Sequence, residues 1–129
     1  MLGVLLAGLL YLAIGIGTAD LARLSGGSWR LAAWAVSAVV FLAHIAYERT
    51  RLRNATTRSA LHAALAVALG AFGLAVAATL RAAATGNYRG AFALALVAWP
   101  AMTGIVSFVA AWLLATAAGL LGRTARDAQ

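Results

Sequence analysis

Uncharged stretches and short charged windows alternate along this chain. No aspartate, glutamate, lysine or arginine occurs in residues 1–19, 31–47, 59–80 or 90–122. A helix needs about 17–25 predominantly apolar residues to cross the hydrocarbon core of a bilayer. Each stretch reaches that length or exceeds it, so the pattern predicts four transmembrane helices, at about residues 2–21, 29–48, 59–80 and 91–121.

The composition agrees with this pattern. Hydrophobic residues make up 64% of the 129 residues and charged residues only 10%, whereas a soluble domain has about 25% charged residues. We therefore expect an all-α polytopic membrane protein, a four-transmembrane-helix bundle that forms a single transmembrane domain over residues 1–129 and has the lipid bilayer around it. The first stretch is predicted to be a helix rather than a cleaved signal peptide, because no basic residue precedes Arg23.

Glycine is frequent on the first and third predicted helices. Small residues let neighbouring backbones approach closely, which favours helix association where lipid gives no hydrophobic driving force. We expect close packing, and association of copies, through the faces that carry Gly3, Gly8, Gly15, Gly17, Gly70 and Gly73. At the end of the first helix, Asp20 and Arg23 lie three residues apart and are predicted to form an ion pair.

The fourth stretch is longer than a straight crossing requires. As a helix, residues 90–122 would extend about 50 Å, against a hydrocarbon core of about 30 Å. Pro100 is the candidate to bend or break this helix, because proline cannot donate to the carbonyl of Leu96; tilt of the helix or an interfacial first turn are the alternatives. Thr103 and Ser107 lie one turn apart beyond it and could line a broken-helix site or a pore.

Two short segments of the chain match each other. Residues 27–32 and 86–91 both read Gly-polar-aromatic-Arg-x-Ala, at an offset of 59 positions. Several leucines and an alanine of the first and third helices match at the same offset. The match suggests two tandem helical hairpins, related by an axis along the membrane normal as parallel repeats are.

The arginines indicate an orientation. With four crossings, both termini and the loop between the second and third helices share one side, which carries six arginines, while the opposite side carries four. The positive-inside rule then predicts cytoplasmic termini, in a bacterial inner membrane. The net charge of +7 is no sign of nucleic-acid binding, because the arginines border apolar segments. Contact with lipid headgroups is expected from Arg49, Arg51, Arg53 and Arg58.

Candidate chemistry is concentrated around this central loop. His44 and Glu48 lie four residues apart and share a helix face, and His62 lies at a similar depth on the next helix. One hypothesis makes these three residues metal ligands, and another makes His44 and His62 haem ligands. In the structural interpretation, Glu48 pairs with Arg51, Arg49 or Arg58 and the histidines bond to backbone or headgroups. A pH-sensing role for His44 beside Glu48 is a subsidiary hypothesis.

Enzyme signatures are missing from the sequence. It contains no phosphate-binding glycine loop, nucleophile elbow or paired carboxylates, and it has no cysteine. We expect a non-enzymatic accessory, assembly or scaffold component of the membrane, without a cofactor, that forms homo-oligomers or packs against a larger membrane-protein partner. The first alternative is a small oligomeric transporter or channel with its pathway near Pro100, Thr103 and Ser107. The second is a haem- or metal-binding membrane protein that uses His44 and His62.

Overall fold

Four helices make up the fold. A computed structural model describes the backbone of residues 2–25 and 28–127, and the side chains of residues 3–18 and 31–119. The helices are α1 (Leu2–Ser25), α2 (Ser28–Thr50), α3 (Thr56–Ala84) and α4 (Gly90–Asp127). They follow the predicted order, and each extends beyond its predicted range. Arginine is a good helix former, so the arginines end the apolar stretches without ending the helices.

Three of the helices contain stretches long and apolar enough to cross a membrane: Leu31–Thr50, Thr56–Ala84 and Gly90–Gly119. The corresponding stretch of α1 among the described side chains, Gly3–Thr18, is shorter. The protein is therefore all-helical, and its apolar helices place it in a membrane. The predicted pair of Asp20 and Arg23 lies outside the described side chains.

α3 lies at the centre of the bundle. It packs most extensively on α4 and next on α1, whereas α2 packs mainly on α1 and touches α4 little. α1 runs parallel to α3, because Gly8 lies beside Leu69 and Gly15 beside Leu74. α4 runs antiparallel to α3, because Gly104 lies beside Ala68 while Ala111 lies in one buried cluster with Ala60. The start of α1, the end of α4 and the central loop (residues 51–55) consequently lie at one end of the bundle.

Glycines allow the close approach of α1 and α3. A Cβ atom added to Gly70 would lie 2.6 Å from the Cβ of Tyr11 and 3.2 Å from the carbonyl oxygen of Gly8. The prediction of close packing is confirmed at Gly8, Gly15, Gly70 and Gly73, where an added Cβ would lie within 2.9 Å of a side chain on the facing helix. The prediction of close packing against another helix of the same chain is wrong for Gly3 and Gly17. A Cβ added to either glycine would have nothing within 4 Å, because both face away from the neighbouring helices.

Alanines form most of the interface between α3 and α4. Ala60, Ala63, Ala111 and Ala115 are fully or almost fully buried there, together with Ile45 of α2. Phe41 of α2 and Phe108 of α4 pack against this cluster. α2, α3 and α4 therefore meet in a closed core near the central loop.

Pro100 does not interrupt α4. The helix is continuous from Gly90 to Asp127, so the expected broken helix is wrong. Proline removes one backbone donor, and local adjustments can satisfy the freed groups in an apolar helix. The hydroxyl of Thr103 donates to the carbonyl oxygens of Trp99 at 2.9 Å and Pro100 at 3.2 Å, one turn beyond the carbonyl of Leu96 that Pro100 leaves without its backbone donor.

Candidate functional site

A buried carboxylate lies where α2 meets α3. Glu48 is 3% exposed, and each of its carboxylate oxygens lies 3.1 Å from Nδ1 of His62. The side-chain amide of Asn54 donates to the same carboxylate. The last turn of α2 supplies Glu48, the central loop supplies Asn54, and the second turn of α3 supplies His62. These contacts satisfy a charged group that would be costly to bury alone.

The arginine partners predicted for Glu48 are wrong. None of Arg49, Arg51 and Arg58 forms an ion pair with it in the described part of the chain. Glu48 points into the interface between α2 and α3, whereas arginine side chains extend toward the polar side. Arg49 instead donates to the carbonyl oxygen of Asn54 at 3.3 Å and to Oγ1 of Thr56 at 3.1 Å.

His44 makes no hydrogen bond to this group. It shares a helix face with Glu48, as the spacing predicted, but its Nε2 is buried without a hydrogen-bond partner. No three His, Asp or Glu side chains among the described residues are placed to bind one metal ion. His62 directs Nδ1 to Glu48, which leaves one ring nitrogen for other ligands. The structure thus joins two of the three predicted site residues, and adds Asn54.

A second feature is an apolar groove with a volume of about 550 Å³. Its walls are α2, from Ala33 to Phe41, and α4, from Trp99 to Ala110, and its floor is formed by α1 and α3. Trp34 and Trp99 are largely exposed at its sides. The core around Phe41 and Phe108 lies between the groove and the central loop. Each wall spans two to three helical turns, or about 12–16 Å.

The groove carries a few hydroxyl groups. Thr103 and Ser107, the residues predicted for a pathway, both line it, and Ser37 of α2 lines it too. Thr103 donates back to its own helix. Ser37 and Ser107 make no hydrogen bond to any described residue. Pro100 is not among the lining residues.

Sequence reasoning missed Asn54 and Ser37. Ser37 could have been found, because Ser37, Phe41, His44 and Glu48 follow one another at spacings of four, three and four and so share one face of α2. Asn54 carried no comparable signal, since its contact depends on the path of the central loop.

Three of the four arginines in and beside the central loop face outward. Arg51, Arg53 and Arg58 are exposed, whereas Arg49 is partly buried against Asn54 and Thr56. Arg53 has a φ of +50°, in the left-handed region, which lets the chain turn sharply after α2. Comparison with models of protein families, with curated proteins and with solved structures found no match.

Proposed function

We propose that the chain crosses the membrane four times, with α1 as the fourth span. α1 packs along α3 from Val4 to Gly15, and Leu5, Leu6 and Leu9 on its other faces are exposed. Such a surface suits hydrocarbon. Both termini then share the side of the central loop, which we assign to the cytoplasm of a bacterial inner membrane, because it carries six of the ten arginines.

The four spans form two tandem helical hairpins in this proposal. Ala7 and Ala66, which are 59 positions apart, lie in one buried cluster, and Gly70 lies against Tyr11 at the same offset. Contact between equivalent residues of parallel helices is expected around an axis along the membrane normal. The hairpins differ in packing, because α4 covers α3 more extensively than α2 covers α1. This difference leaves the groove open beside α2.

We propose that the protein is a non-enzymatic accessory, assembly or scaffold component of the membrane, and that the groove receives part of a transmembrane helix of a larger membrane-protein partner. The observation that carries the proposal is the pair of unpartnered hydroxyls of Ser37 and Ser107 in an apolar groove. An unsatisfied hydroxyl in an apolar medium costs on the order of 2 kcal/mol or more. A partner helix could remove that cost.

The shape of the groove supports a helix as its occupant. Gly15, Gly70 and Ala71 line its floor, and small residues with hydroxyls are typical of helix–helix contacts in membranes. About 550 Å³ cannot hold an entire helix, but it can hold the side chains along one helix ridge. The weakly packed helix α2 would gain the contacts that it lacks within the chain.

Photocrosslinking in native membranes tests this proposal. A photoreactive residue at position 37 is expected to give one discrete adduct to a peptide from a transmembrane segment, because Ser37 lines the groove. The same residue at position 39 is the control, since Val39 on the same helix is 65% exposed and does not line the groove. Ala110→Phe, which fills the groove, should abolish the adduct, whereas Val109→Phe should preserve it.

The mass of the adduct distinguishes the possible outcomes. An adduct with one distinct membrane protein supports the proposal. An adduct at twice the mass of the chain would mean that the occupant of the groove is a second copy of this chain and not a larger partner. Labelling of lipid alone at both positions 37 and 39 would contradict a helix-binding groove.

Transport is the second candidate function, because Thr103 and Ser107 both line the groove as the pathway hypothesis requires. Against it, the buried cluster of Ile45, Ala60 and Ala111 lies between the groove and the central loop, so the groove does not continue along the bundle to that end. Ionic currents or solute flux through the reconstituted protein, lost in a Thr103→Val, Ser107→Ala variant, would favour transport over the scaffold function.

A further inference from the structure

We propose that Arg51, Arg53 and Arg58 form a docking surface for the headgroups of anionic phospholipids. Together these three residues form the arginine surface. All three side chains are exposed, and none makes a hydrogen bond or ion pair with a described residue. The arginine surface shares no residue with the groove, so lipid binding there does not require an occupant of the groove.

The acidic residue nearest in sequence does not neutralise this surface. Glu48 is buried and engaged by His62 and Asn54, so its charge is held inside the bundle. The first turn of α3, which follows the central loop, contains no acidic residue. Within the described side chains, the arginine surface therefore keeps its positive charge unpaired.

Position decides which anion is the partner. Only residues 51–55 separate the apolar spans Leu31–Thr50 and Thr56–Ala84. Two hydrogen bonds fix this loop against the ends of α2 and α3: Asn54 donates to Glu48, and Arg49 donates to Thr56. The loop therefore cannot extend far into water, so Arg51 and Arg53 in the loop and Arg58 in the first turn of α3 lie at the depth of the lipid headgroups. Phospholipid phosphates are the anions at that depth.

Arg49 has a different role. Its guanidinium donates to Asn54 and Thr56, and these bonds fix the loop that carries Arg51 and Arg53. The four arginines, which looked equivalent in the sequence, thus divide into one structural residue and three docking residues.

Lipid titration of the detergent-purified protein tests the arginine surface. Native mass spectrometry would count bound phosphatidylglycerol and phosphatidylcholine, and we expect phosphatidylglycerol to bind more tightly. In the variant Arg51→Gln, Arg53→Gly, Arg58→Gln, its affinity should fall on the order of five-fold for each arginine removed. Glycine is chosen at position 53 because the backbone there is left-handed. Affinity for phosphatidylcholine should not change.

Two further variants complete the experiment. Arg89→Gln changes an exposed arginine at the opposite end of the bundle and should lower phosphatidylglycerol affinity far less than the triple variant does. Lysine at positions 51 and 58, with glycine kept at position 53, should restore affinity to within the five-fold share of Arg53, because the attraction is to charge. Unchanged binding in the triple variant, an equal loss in Arg89→Gln, or displacement of the lipid by equimolar inorganic phosphate would each overturn the proposal.

Discussion

Glu48→Ala is expected to lower the free energy of unfolding by about 3 kcal/mol, the larger of two stability effects that we predict. The substitution removes the acceptor of His62 and Asn54 at once, and leaves both polar side chains without their partner in a closed interface. Removing one member of a buried pair costs about 3–5 kcal/mol in soluble proteins. His62 is partly exposed, which favours the lower end of that range.

Unfolding by sodium dodecyl sulfate in mixed micelles, followed by circular dichroism, measures this effect. Arg51→Gln is the matched control, because Arg51 is charged, lies three residues away and is exposed. Its stability should change by less than about 0.5 kcal/mol. A double-mutant cycle of Glu48→Ala with His62→Ala should give a coupling of about 1 kcal/mol or more. A loss for Glu48→Ala no larger than for the control would contradict the buried cluster.

The same cluster shows how far sequence reasoning reaches. His44, Glu48 and His62 were found because they interrupt apolar stretches, and the approximate helices followed from where the charges lie. The partner of Glu48 could not be found in this way. It depends on how α2 is rotated about its axis and on the path of the central loop, which the positions of the charges in the sequence do not determine.

The groove was beyond sequence reasoning for a related reason. Thr103 and Ser107 were identified as polar residues one turn apart, but their proximity to Ser37 follows from the separation of α2 and α4, which leaves the space between these walls. The sequence pointed to Thr103 and Ser107 through an expected helix break at Pro100, and that break is absent. Local backbone chemistry suggested a break at Pro100, while the continuous helix shows that its neighbours tolerate the missing donor.

Gly70→Ala is expected to destabilise the fold by about 1–3 kcal/mol, as overpacking of a tight interface does. The new methyl group would lie 2.6 Å from the Cβ of Tyr11 and 3.2 Å from the backbone oxygen of Gly8. Neither atom belongs to the free end of a flexible side chain, so α1 must move away from α3. The same unfolding experiment in mixed micelles measures the loss.

A series of glycines provides the controls for this prediction. Gly73→Ala should cost less than Gly70→Ala, because its methyl group would meet the tips of Leu12, which can rotate away. Gly17→Ala has open space and should be neutral or stabilising by up to about 1 kcal/mol, as alanine favours the helix. From these contacts we expect the loss in the free energy of unfolding to increase in the order Gly17, Gly73, Gly70. Equal effects at the three positions would mean that helix propensity alone, and not the approach of α1 to α3, determines the result.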